Sequence, residues 1–214
     1  MNEKILEIKA ALDACFTVQS FASGAWHDSE PSPPAWNGEQ TLEGFRNLVL
    51  LEHLCNFQLW HVEDRARRTD VSDMIIANCK REIDGLNQRR NDYMEEIDRC
   101  LYSLIIPYLP KGATSRINTE TLGQAIDRLS ILSLKIFHME EQTHRTDVSV
   151  EHIENCRMKY EVLRKQRSDL ITAVLELLDD YAAGQKRPII YSQFKMYNDP
   201  NLNPELYTGG VSAK

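Results

Sequence analysis

The pentapeptide Arg68-Thr69-Asp70-Val71-Ser72 returns letter for letter as Arg145-Thr146-Asp147-Val148-Ser149, an offset of 77 residues (from 68 to 145). The likeness runs on without a gap around both copies. At the same offset His61 falls on His138, Asp64 on Glu141, Cys79 on Cys156, Leu86 on Leu163, Arg90 on Arg167 and Asp92 on Asp169. A fixed-period repeat constrains architecture more than any local pattern, because each copy must build the same supersecondary unit and bury its apolar face against the other. Most of this 214-residue chain is therefore two versions of one unit around a shared core.

The period of the apolar residues inside each copy is helical. Leu50, Leu54, Phe57 and His61 share one face of a segment from about Leu42 to Arg68. A second seam follows the Thr69–Ser72 turn: Ile76, Cys79, Ile83, Leu86, Arg90, Tyr93, Ile97, Cys100 and Leu104, alternating steps of three and four. The second copy repeats this, with Ile131, Leu134 and His138 between about Leu122 and Arg145. Its partner seam reads Cys156, Tyr160, Leu163, Arg167, Leu170, Val174, Leu177 and Tyr181 between about Val150 and Ala183. Asp and Ser of each repeated turn read as caps for the helix that follows, and Thr121 with Gln124 fits a capping box.

These segments predict an all-α protein, a four-helix bundle from two duplicated helical hairpins, with an N-terminal helix and an ordered C-terminal tail. One structural domain divides into an N-terminal helix (1–22), a Pro-rich loop (23–40), the first hairpin (41–105), a connector broken by Pro107, Pro110 and Gly112 (106–120), the second hairpin (121–184) and the tail (185–214). Only Arg187 to Phe194 has the composition of an extended segment.

A formal charge of −7 argues against a phosphate-tracking nucleic-acid binder, and no apolar run reaches the roughly 18 residues of a membrane span. The first residues alternate Glu and Lys with apolar side chains and lack the apolar stretch of a signal peptide, so a cytoplasmic location is expected. The five cysteines are scattered and never spaced Cys-x-x-Cys, which reads as free, mostly buried thiols.

Chemistry concentrates where polar residues interrupt the apolar seams. His61 and His138 lie mid-face, each with an acid three residues on, Asp64 and Glu141, near enough in helical projection to orient the imidazole. Arg90 and Arg167 break the partner seams at equivalent inward positions and demand an anionic or carbonyl partner. Counting about 1.5 Å per residue from the shared turn sets Arg90 level with His53 and Asn56, two turns from His61.

His61, Asp64, His138 and Glu141 are therefore the candidate acid/base groups, and Arg90, Arg167, His53 and Asn56 the candidate ligand-binding groups. A di-metal carboxylate bundle needs Glu-x-x-His on two helices, but the first copy offers Asp64-x-x-Arg67 and places cations at the other inward positions. No cofactor is expected; a single divalent metal on His61, Asp64, His138 and Glu141 is compatible on ligand type alone. P-loop, dinucleotide-binding and nucleophile-elbow motifs are absent.

Leu59-Trp-His-Val-Glu-Asp-Arg-Ala-Arg-Arg68, Ile126-Asp-Arg-Leu-Ser-Ile-Leu-Ser-Leu-Lys-Ile136 and Gln193-Phe-Lys-Met-Tyr-Asn-Asp-Pro-Asn-Leu-Asn-Pro204 together resemble a bacterial family catalogued as domain of unknown function 4254. The resemblance spans roughly Leu42 to Tyr207, implies a bacterial source and carries no activity to transfer. Phe194, Tyr197 and Tyr207 in the tail read as anchors onto the bundle itself, onto a protein partner or onto a second copy in a homo-oligomer. Two functional readings follow: a non-catalytic binding or scaffold protein whose paired polar residues specify the bundle, or an enzyme or small-ligand binder acting on an anionic, phosphorylated compound.

Overall fold

A computed structural model describes residues 2–112, 114–194, 196 and 199–207. Five long helices and two short turns carry the chain: α1 (Glu3–Asp28), α2 (Leu42–Ala66), α3 (Asp73–Ile105) with a 3-10 turn at Ile106–Tyr108, α4 (Leu122–Thr143), α5 (Val150–Ala182) and α6 (Pro204–Tyr207). No strand occurs among the described residues, and no helix among them is long and apolar enough to cross a membrane. All five cysteines are free and buried.

Local chemistry sets the helix ends. Thr121 and Gln124 form the capping box at α4, with Gln124 N–H on Thr121 Oγ1 at 3.2 Å and Thr121 N–H on Gln124 Oε1 at 2.9 Å. Gly184 closes α5 at φ +69, a left-handed position that spares a side chain the steric cost. At the two repeated turns the side chains divide their work differently from the capping expected of them. Ser149 accepts from His152 N–H at 3.2 Å, but Ser72 makes no side-chain cap. Asp70 and Asp147 instead chelate their own Arg68 and Arg145, each at 2.7 and 3.0 Å, because the guanidinium fork lies two residues away and matches a carboxylate in geometry.

α2 with α3 and α4 with α5 form the duplicated hairpins, and the copies meet around a pseudo-twofold axis. His53 and Ser130, equivalent at the repeat offset, share a hydrogen bond of 2.8 Å. The equivalent rings of His61 and His138 stand 6.1 Å apart. Equivalent residues meeting at two levels about 12 Å apart require α2 and α4 to run parallel, with the axis along the bundle.

α1 belongs to the core and breaks this symmetry. Its Ile5, Leu12 and Phe16 pack with Phe45 and Leu48 of α2, Ile97 and Leu101 of α3, Ile126 and Leu129 of α4 and Leu178 and Tyr181 of α5 in one buried cluster. It is seated chiefly against α2, α4 and α5, pinned by Lys9 to Asp179 at 2.7 Å. The helix runs to Asp28, past the expected boundary at residue 22. Nothing between 23 and 28 breaks a helix except Gly24, which faces the Phe137 ring of α4.

Residues 187–194 are irregular, held by Arg187 N–H on Arg116 O (2.9 Å) and Gln193 N–H on Glu95 Oε1 (2.7 Å). Phe194, 87% exposed, and Tyr207 do not anchor the tail on its own bundle; Tyr197 lies outside the described residues.

Candidate functional site

Midway along the bundle the inward faces of α2 and α4 turn polar. Glu52, His53 and Asn56 on α2 face Asp127, Ser130 and Ser133 on α4, and Gln19 and Ser23 of α1 close the third side; all eight are buried. Asn56 Nδ2, with two protons to give, lies within hydrogen-bond reach of three acceptors: Glu52 Oε1, Asp127 Oδ1 at 3.0 Å and Ser130 Oγ at 2.9 Å. Burial first, then the charge and hydrogen bond of Asp127, push the Glu52 carboxyl well above the usual carboxylate range. The raised value favours the neutral carboxyl of Glu52 in the fold.

His53 is neutral as well. Burial, then the Arg167 charge, hold its imidazole down to about 3. Ser23 Oγ spends its proton on Gln19 O at 2.9 Å, so His53 Nε2 is the donor across 3.4 Å to Ser23, and Nδ1 accepts from Ser130.

The two duplicated arginines have the same register but different surroundings. Arg90 NH1 donates to Asn56 Oδ1 at 3.3 Å, and Arg167 Nε donates to Ser133 Oγ at 2.9 Å; Asn56 and Ser133 are themselves repeat equivalents. Arg167 also donates to the backbone carbonyl of Phe16, so α1 fills the space in front of it. The corresponding space in front of Arg90 is a cleft of about 300 Å³ between α2, α3 and α4, lined by Asn56, Trp60, Glu63, Asp64, Arg67, Asn87 and Arg90 over an apolar floor of Leu59, Ile131 and Leu134. Arg90 Nε is buried without a hydrogen bond, its nearest acid being Asp127 Oδ1 at 3.6 Å, and Glu52 Oε2 is likewise unpartnered. A buried donor without an acceptor costs about 1–3 kcal/mol, so its persistence needs a reason.

One to two turns further along, His27 from the last turn of α1 enters between His61 and His138, with ring centres 5.0 and 4.9 Å away. His27 Nδ1 donates to Ser23 O at 2.6 Å. His138 stacks on Trp60 at 4.4 Å, and its Nδ1 meets Glu141 Oε2 at 2.9 Å while Nε2 is buried without a partner. Burial lowers both His61 and His138, aided at His61 by the neighbouring His27 and His138 and opposed at His138 by Glu141. No hydrogen bond joins His61 to Asp64, whose side chain instead lines the cleft. Glutamate, one methylene longer, reaches its histidine where aspartate does not. His61, Asp64, His138 and Glu141 do not converge on a point, and among the described residues no group of three or more His, Cys, Asp or Glu is placed to hold a metal ion.

Glu52, Asp127, Ser23, Gln19 and His27 join the sequence candidates. His27 was hidden by the early end assigned to α1. Glu52 and Asp127 fall opposite Leu129 and Leu50 at the repeat offset, so a search for paired polar positions passes over them.

The model of the family described as "Protein of unknown function (DUF4254)" matches residues 46–190. No curated protein and no solved structure matches the chain.

Proposed function

The chain belongs to the DUF4254 family, and we propose that it is a non-catalytic binding protein whose recognition site is the cleft in front of Arg90, taking a small anionic ligand. One observation carries this reading: of two equivalent arginines, Arg167 is satisfied at Nε by Ser133 and at its terminal nitrogen by the Phe16 carbonyl, whereas Arg90 Nε has no hydrogen bond, only the ion-pair contact with Asp127 at 3.6 Å, and an open cleft lies where α1 would cover it. A phosphate or carboxylate oxygen would supply to Arg90 what the carbonyl supplies to Arg167. Arg67, held at rest by Glu63 at 2.8 Å, offers a second cation at the mouth, and Asn56 and Asn87 offer amides.

A binding role without turnover is supported by where the buried acid and imidazole groups lie. The carboxyl groups of Glu52 and Asp127 lie behind Asn56, outside the cleft lining, and the rings of His61 and His138 are packed among aromatic neighbours. An enzymatic reading draws either on that carboxyl pair, which requires Asn56 to swing aside, or on Asp64 in the cleft wall; Glu52→Gln or Asp64→Asn would then abolish turnover while leaving binding intact.

A thermal-shift panel of sugar phosphates, nucleotides and dicarboxylates tests the proposal on the wild type, Arg90→Gln and Arg167→Gln. A ligand at 100 times its dissociation constant stabilises by about 2.7 kcal/mol. The expected result is a shift with an anionic compound that disappears in Arg90→Gln and survives in Arg167→Gln. A flat panel, or a shift that Arg90→Gln retains, overturns it.

A further inference from the structure

Beyond Trp60, on the far side from the Arg90 cleft, α4 and α5 part to leave an open groove of about 730 Å³ walled by Trp60, Met139, Met158, Val162 and Leu163. The first copy of the repeat shows what this place looks like when it is closed. There Arg65 and Glu82 join α2 to α3 by an ion pair of 2.9 Å, and Leu86 is only 2% exposed within a cluster with Leu59, Val62, Cys79 and Ile83. At the equivalent positions the second copy carries Gln142 and Lys159 in place of the ion pair and Val162 in place of Gly85. It also carries Met158 in place of the surface Arg81. The seam is open, Leu163 is partly exposed, and Met158 and Val162 stand 62% and 56% exposed.

Apolar side chains of this size clustered on an open concave surface mark a binding site more often than a bare surface. The two methionines add adaptable, polarizable walls. Two cations flank them. Lys135 on α4 and Lys159 on α5 lie nine and ten residues from the 144–149 turn, and so line the groove at roughly the same height on the two arms of the antiparallel hairpin. Neither makes an ion pair or hydrogen bond among the described residues, on a chain of net charge −7. The volume falls in the range of small-ligand sites, and the lining is apolar with a few polar groups at its edge, as such sites are built.

We propose that the α4–α5 groove binds an amphipathic anion, a molecule with an extended apolar portion and a carboxylate or phosphate head. The apolar portion lies along Trp60, Met139, Met158 and Val162, and the head sits between Lys135 and Lys159. The site is independent of the Arg90 cleft, although Trp60 and Asp64 border both.

The test is displacement of the fluorescent probe 1-anilinonaphthalene-8-sulfonate from the full chain by dodecyl phosphate below its micellar concentration. Dodecanol and inorganic phosphate supply the tail and the head alone, and dodecanoate the alternative head. Saturable displacement by dodecyl phosphate and dodecanoate is expected, with dodecanol and phosphate each at least about tenfold weaker, the scale of two partly exposed charge contacts. Met158→Glu and Val162→Glu alter exposed positions, so folding is retained and far-UV circular dichroism verifies it. Both are expected to abolish displacement, Lys135→Met/Lys159→Met to weaken it about tenfold, and Arg90→Gln to leave it unchanged. Wild-type binding in Met158→Glu and Val162→Glu, equal binding of dodecanol and dodecyl phosphate, or displacement by an acidic amphipathic peptide but by neither amphiphile overturns the proposal.

Discussion

Replacing Glu52 by glutamine isolates the buried proton at the centre of the bundle. In the unfolded chain Glu52 ionises near its ordinary value of 4.5; in the fold, burial and then Asp127 hold its carboxyl well above that. Between the two values the unfolded chain has released a proton that the folded protein keeps. The contribution of Glu52 to stability therefore falls as pH rises, by 2.303RT, or about 1.4 kcal/mol per pH unit, until Glu52 ionises in place. Glutamine has the same shape, still offers Asp127 a donor and carries no titrating proton. All other titrations are common to both proteins and cancel in the difference. The stability of Glu52→Gln relative to wild type should thus climb by about 1.4 kcal/mol per unit above pH 4.5, from a small constant offset in acid. Urea unfolding followed by circular dichroism at pH 5, 6, 7 and 8 and constant ionic strength reads this directly, with equal m-values confirming a common unfolded state. Curves that run parallel across that range would refute a protonated Glu52.

The opposite limb belongs to His53, whose folded-state value of about 3 lies below its ordinary 6.5. Stability is lost as pH falls from 6.5 toward 3, by up to about 1.4 kcal/mol per unit, and His53→Gln should remove that part of the acid slope in the same titration. Phe16→Ala, in the α1 face that completes the core, should cost about 3–5 kcal/mol in urea; a cost under 1 kcal/mol would mark α1 as an appendage. Gly123→Ala places a methyl 2.4 Å from the Met94 carbonyl, where α4 crosses closest to α3 and Gly123 N–H reaches Asp98 Oδ1 at 2.7 Å. A loss of about 1–3 kcal/mol is expected, read as a lower urea midpoint.

The helical hairpins and their pairing were legible because the repeat and the three-to-four spacing of Ile83, Leu86 and Ile97, or of Val174, Leu177 and Tyr181, are properties of the chain itself. So was the meeting of Arg90 with Asn56, which follows from rise per residue on two helices leaving one turn. The parts that escaped depend on contacts distant in sequence. His27 is inside a helix because α1 continues along α4 past Gly24, and no local residue announces that continuation. Glu52 and Asp127 face each other across two helices without being repeat equivalents, so duplication gives no clue to them. The unlike fates of Arg90 and Arg167 arise from α1, which lies outside the repeat and covers only one of the two equivalent seats, and from Asp127 beside Arg90, whose repeat equivalent is Leu50.

That division of roles is open to direct observation. The 15Nε–1Hε resonances of Arg90 and Arg167, assigned by their disappearance in Arg90→Lys and Arg167→Lys, report whether each Nε–H has an acceptor. On titration with an anionic compound that raises the melting temperature, the Arg90 signal should move as its Nε–H gains a partner while the Arg167 signal, already bonded to Ser133, stays in place. A fixed Arg90 signal, or movement at Arg167 alone, would contradict the assignment of the Arg90 cleft as the binding site.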